Sequence, residues 1–113
     1  MLTRGDVVLA PFPFTDLSGR KVRPALVVNV AGEDVLVAFI SSILPAAAPA
    51  MTDWVLPTHH PDFGKTGLKA AAVFKLTKLV CLHHLLILRK LGHVSPSIQR
   101  ELDERLARAV GLR

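Results

Sequence analysis

The sequence predicts a mainly β (α+β) fold, a small and strongly curved antiparallel sheet closed by a C-terminal helix. Three observations carry that reading. Short valine-rich runs, separated by Gly, Pro and charged turns, fill the first three-quarters of the chain. The connection Ala31-Gly32-Glu33-Asp34 is short enough to fold two of those runs into an antiparallel hairpin. The C-terminal segment changes period, placing apolar residues at helical spacing between a capping serine and a glycine.

Val7 to Ala10, Ala25 to Val30 and Asp34 to Ser42 are the first three strand candidates. Near-continuous hydrophobicity over Val35-Leu36-Val37-Ala38-Phe39-Ile40 requires burial on both faces, or one face in the core and the other against a partner. Pro45 to Pro49 reads as an alanine and proline loop, and Thr52 to Leu56 as a short strand with Trp54 half-buried. After a polar loop over Pro57 to Gly67, Leu68 to Leu76 and Leu79 to Arg89 are expected as two further strands, punctuated by Gly92. Their alanine and leucine also suit a helix. Ser95 is a good N-cap, Pro96 fits the first helical position, and Gly111 fits the stop. Between them Ile98, Leu102, Leu106, Ala109 and Val110 share one face. Glu101, Asp103 and Glu104 precede Arg105 and Arg108, the sense that suits the helix dipole. No repeat or linker divides residues 1–113, which read as one domain.

Half the residues are apolar, which indicates a globular chain rather than a disordered one. Lys and Arg outnumber Asp and Glu by 14 to 9, so the favoured partner is anionic. Nucleic acid ranks ahead of membrane because no basic amphipathic helix is visible. A single cysteine, Cys81, excludes an internal disulfide and suits a reducing cytoplasm. Its apolar strand predicts a buried, inert thiol. The N-terminus lacks an apolar stretch of signal-peptide length before its first charges. The longest apolar run, Leu79 to Leu88, is broken by His83-His84 and is shorter than the ~20 residues of a membrane-spanning helix. The expectation is a soluble, cytoplasmic protein.

Common enzyme signatures are missing: no phosphate-binding glycine loop with its lysine, no dinucleotide fingerprint and no HExxH. His59-His60 and His83-His84 are adjacent pairs, and neighbours on a strand point to opposite faces, so neither pair chelates one ion if extended. Cys81 and His83 would share a face but lack companion carboxylates, and no metal or other cofactor is implied.

The remaining candidates lie at one end of the predicted hairpin. Pro24 fixes its own φ and biases Arg23 toward extended geometry, so the guanidinium springs from a constrained backbone at the end of a turn-rich loop. Joining the second and third strands at 31–34 brings Arg23-Pro24 alongside Ser41-Ser42. An arginine and a hydroxyl can act together on RNA. The ribose 2′-hydroxyl attacks the adjacent phosphorus while arginine stabilises the developing charge and the hydroxyl orients the phosphate. The alternative is structural: Ser41-Ser42 only ends a strand, and Arg23 pairs with an acid such as Asp16.

Gly5-Asp6-Val7-Val8, the loop ending in Arg23-Pro24-Ala25-Leu26-Val27-Val28, Ile40-Ser41-Ser42, Thr66-Gly67-Leu68-Lys69 and Leu91-Gly92 before a short helix are together similar to the MazF/PemK family. These are toxins of type II toxin–antitoxin systems, and the likeness runs in order through nearly the whole chain. It implies an SH3-like barrel with a C-terminal helix, shared with the CcdB proteins, and a homodimer. The implied activity is metal-independent, sequence-specific endoribonuclease cleavage of single-stranded RNA or mRNA to 2′,3′-cyclic phosphate and 5′-hydroxyl ends. Arg23 falls on the family's catalytic arginine, and Ser41 where many members carry a catalytic threonine. Arg20, Lys21, Ser42, Lys75 and Thr77 are the implied RNA contacts, with Asp16 a positional candidate in the loop. Thr77 stands where some members have an acid, and Val80-Cys81 where several have Arg-Thr. The implied partners are single-stranded RNA and a cognate antitoxin, with operator DNA reached only through the antitoxin. The alternatives are a CcdB-like toxin that poisons a protein without catalysis, and a degenerate RNA-binding module. The tryptophan-bearing hydrophobic ending typical of the former is absent from Val110-Gly111-Leu112-Arg113.

Overall fold

A computed structural model describes residues 1–12 and 21–113. Among the described residues there are six strands: β1 (Asp6–Phe12), β2 (Lys21–Ala31), β3 (Asp34–Ser41), β4 (Asp53–Leu56), β5 (Ala72–His83) and β6 (Arg89–His93). The helix α1 (Pro96–Ala109) closes the chain. The strands form one sheet in the order β4-β5-β3-β2-β1-β6, with every neighbouring pair antiparallel.

The hairpin turn falls at Gly32-Glu33, and Ala31 pairs with Asp34 as the short connection requires. Side-chain alternation then fills both faces of the central strands. Leu26, Ala38, Ile40 and Phe74 join Ile98 and Leu102 of α1 on one face. Ala10, Ala25, Val27, Val37 and Phe39 form a second cluster on the other. The unbroken apolar run in β3 therefore buries both its faces within a single chain.

β5 corrects the sequence reading. Instead of two strands over 68–76 and 79–89, one strand spans Ala72–His83. Its register slips beside Ala38/Phe39, which pair with Leu79 and Lys75 and leave Leu76, Thr77 and Lys78 unmatched. This three-residue bulge lets one strand run through the segment where two were expected. Cys81 is likewise exposed, not buried. It shares a cross-strand row with Leu36 and Asn29, and Asn29 is also exposed, so the row lies at the solvent end of its face. Gly92 lies inside β6 rather than ending it. A Cβ there would sit 2.3 Å from the Lys65 carbonyl oxygen, and one on Gly67 would sit 2.1 Å from that of Leu91. The two glycines let the turn at Phe63–Thr66 lie backbone against backbone on β6.

Asp6 pins β6 to β1 from a fully buried position. Its carboxylate accepts hydrogen bonds from the Thr3 amide at 2.9 Å and lies 2.7 Å from His93 Nδ1 and 3.1 Å from Lys90 Nζ. Burial pushes the carboxyl up, but the contacts from His93, Thr3 and Lys90 outweigh it and hold Asp6 below its ordinary range. Just past β6, Ser95 caps α1, its Oγ accepting from the Ile98 amide at 3.3 Å. Gly111, at φ +80°, follows the last turn.

Candidate active site

The site is built by register. Val27, Leu26 and Ala25 of β2 pair with Val37, Ala38 and Phe39 of β3. That ladder ends at Ala25 and Phe39, with Arg23 two residues before the one and Ser41 two residues after the other. Arg23 is also paired with Ala10 of β1, and Ser41 with Val73 of β5. One row inward, Phe39 pairs with Lys75, which pairs in turn with Asp53 of β4. Directly opposed residues share a face, so Arg23, Ser41, Lys75 and Asp53 all emerge on the side of the second core cluster. Phe12 and Phe39, in edge-to-face contact at 5.2 Å, belong to that cluster and floor this end of the sheet.

Arg23 is half-buried, and its Nη1 donates to the Val22 carbonyl at 3.1 Å. Ser41 is buried, and its Oγ accepts from the Ile43 amide at 3.1 Å. That bond occupies a lone pair and leaves the hydroxyl proton free to donate outward. Among the described residues no hydrogen bond joins Arg23 to Ser41, so each side chain is held by its own strand end. Lys75 Nζ lies 3.4 Å from Asp53 Oδ2, with 13 % of the aspartate side chain exposed. These two, with Ser41 and Lys78, line a groove of about 390 Å³ walled by Phe39 and the loop from Ile43 to Ala50.

Of the residues expected from the sequence, Arg23, Ser41 and Lys75 share one face of the sheet, and Ser41 and Lys75 line one groove. Ser42 is exposed just past the end of β3, Lys21 is exposed at the start of β2, and Thr77 is exposed in the bulge. Asp16 and Arg20 lie outside the described residues. The histidines disperse: His83 approaches Glu33, His93 approaches Asp6, and His60 packs edge-on against Trp54. Asp53 and Lys78 were not anticipated. An acid opening a short strand reads as a solvated edge, and only the β4–β5 register reveals that Asp53 faces Lys75.

Residues 3–110 match the family model described as the PemK-like, MazF-like toxin of type II toxin–antitoxin systems. The chain belongs to that family. No match was found among curated proteins. The fold of this MazF-like toxin is similar to that of a mycobacterial endoribonuclease solved in complex with its cognate antitoxin. The TM-score is 0.74 at 19% identity, covering 100% of this chain and 98% of that one. It is also similar to the Mycobacterium tuberculosis toxin MazF-mt6, at TM-score 0.73 and 18% identity over 96% of this chain and 98% of that one. A MazE-MazF structure from Deinococcus radiodurans gives TM-score 0.72 at 17% identity, covering 99% and 97% of the two chains. The six-stranded antiparallel sheet with one C-terminal helix is thus the MazF-like toxin fold. No helix among the described residues is long and apolar enough to cross a membrane.

Proposed function

We propose that this MazF-like toxin is a metal-independent endoribonuclease cleaving single-stranded RNA, including mRNA, in the cytoplasm. The observation that carries the reading is the shared sheet face of Arg23, paired with Ala10, and of Ser41 and Lys75, paired with Val73 and Phe39. In the proposed reaction the ribose 2′-oxygen bonds to the adjacent phosphorus and the bond from phosphorus to the 5′-oxygen breaks. One proton leaves the 2′-hydroxyl for solvent and one reaches the departing 5′-oxygen, leaving 2′,3′-cyclic phosphate and 5′-hydroxyl ends. Arg23 supplies charge-assisted hydrogen bonds to the phosphorane oxygens as their charge grows. Ser41, its lone pair already held by the Ile43 amide, donates its proton to a non-bridging oxygen. Lys21, Arg20 and Ser42 make phosphate contacts along the strand, and Thr77 contacts RNA from the bulge.

Two partners go with this reading. An acidic, partly disordered antitoxin lies over the basic end of the sheet and competes with RNA for it. A second copy of the chain covers the exposed Leu85, Leu86 and Leu88 next to β6, an apolar cluster that a symmetric dimer would bury.

The test is to incubate the protein and its Arg23→Ala and Ser41→Ala variants with a long RNA in EDTA and map the cut ends. Loss of one transition-state donor costs about 10²–10³ in rate, and the arginine variant should lose at least that. Cleavage by Arg23→Ala at the wild-type rate would sink the assigned mechanism.

A further inference from the structure

The groove beside Ser41 holds a feature that phosphate binding does not explain. A polyanion is repelled by a carboxylate, yet Asp53 lies in the groove wall, held 3.4 Å from Lys75 Nζ. The pair leaves that spot close to neutral, so Lys75 is poorly placed to attract a phosphate. The wall facing it is apolar: Phe39 borders the groove, and Ile43 and Leu44 are exposed along its loop side. Apolar walls around a paired acceptor and donor suit a nucleobase, whose faces need cover and whose edge needs partners.

We propose that Asp53 and Lys75 form a base-reading pair that selects guanine next to the scissile phosphate. A carboxylate accepts only, and an ammonium donates only. Guanine alone among the four bases offers two adjacent N–H donors, N1 and the 2-amino group, beside a carbonyl acceptor, O6. Asp53 accepts from the two donors and Lys75 donates to O6. Adenine and cytosine each present one donor group next to a ring acceptor, and uracil presents a single donor between two acceptors, so each leaves part of the pair unmet. The unmatched residues Leu76 to Lys78 follow directly on Lys75, and Lys78 reaches the same groove. The backbone step that interrupts the β3–β5 ladder therefore lies at the mouth of the base site.

This inference rests on the ribonuclease reading for its biological meaning, but binding tests it separately. The probe is a labelled single-stranded oligonucleotide of deoxyuridine carrying one guanine, inosine, adenine or cytosine. With no 2′-hydroxyl it cannot be cut by the proposed route. Polarisation titrations should show the guanine probe bound roughly 10-fold more tightly than the adenine or cytosine probe, the order of one well-made base contact. Inosine, lacking the 2-amino donor, should fall between them. Asp53→Asn should erase the guanine preference without lowering affinity for plain oligodeoxyuridine, since it removes a charge that repels phosphate, and Lys75→Met should reduce the preference. No preference in the wild-type protein, equal binding of inosine and guanine, or an unchanged preference in Asp53→Asn would each overturn the proposal. The inosine comparison needs no variant, so a misfolded mutant cannot rescue or hide the result. Absent cleavage of long RNA with guanine preference intact would sink only the ribonuclease reading.

Discussion

Replacing Asp6 with asparagine removes the charge that fastens β6 to β1 while keeping the side chain's shape. The carboxylate is fully buried and collects contacts from the Thr3 amide, the Thr3 hydroxyl, His93 and Lys90. An asparagine amide turns one of the two oxygens into a donor, which then faces either Thr3 or the His93 and Lys90 side. Breaking a buried ion pair by removing one partner costs about 3–5 kcal/mol when the other stays buried. Lys90 and His93 are each half-exposed and can rehydrate, so the expected loss is about 2–3 kcal/mol, or a Tm lower by about 10 °C. The loss should depend on pH in a set direction. Folding holds the Asp6 carboxyl below its ordinary value of 3.8, so between the two values the unfolded chain binds more protons. The stabilisation is complete above the unfolded value and disappears as pH falls through the folded one. Urea unfolding of wild type and Asp6→Asn should give curves well separated at pH 6 that converge in acid below about pH 4. A gap that stays constant from pH 6 into that acid range, or one under about 0.5 kcal/mol throughout, would refute the reasoning.

Three further outcomes follow from packing and exposure. Gly92→Ala drives a Cβ into the backbone of Lys65 and Thr66, which cannot move aside as a side-chain tip can, and should cost about 3 kcal/mol. Gly64→Ala, with nothing within 4 Å, should stay within about 0.5 kcal/mol of wild type by thermal melts. Cys81 should react fully with a thiol reagent in the native protein, and reaction only on denaturation would contradict its outward placement.

Much of the fold was legible because local signals agreed with tertiary needs. The hairpin at 31–34 followed from its length, and the α1 boundaries from Ser95, Pro96 and Gly111. The shared face of Arg23 and Ser41 followed from strand alternation and the antiparallel rule. β5 was not legible, since its pairing with β3 is long-range and the three unmatched residues leave no periodic trace. The exposure of Cys81 depends on where the covered part of a face ends, which no local pattern reports. Asp53 was hidden for a similar reason: its partner lies 22 residues away on another strand. The assignment of Arg23 in particular also drew on family likeness, because a lone arginine before a proline specifies no chemistry by itself.

The bulge in β5 has a consequence for how this sheet can vary. Side chains alternate with a period of two, so a one-residue slip in a regular ladder would turn every following position inside out. Here the ladder is already interrupted between Lys75 and Leu79, and the two stretches keep separate count against β3. Adding or removing a residue at 77–78 would leave Leu76, Val80 and Leu82 packed in the sheet and Lys75 aimed into the groove, while changing what the bulge itself presents at the groove's mouth. The sheet thus has a place where length can change without loss of register, and it lies beside the groove proposed to read a base.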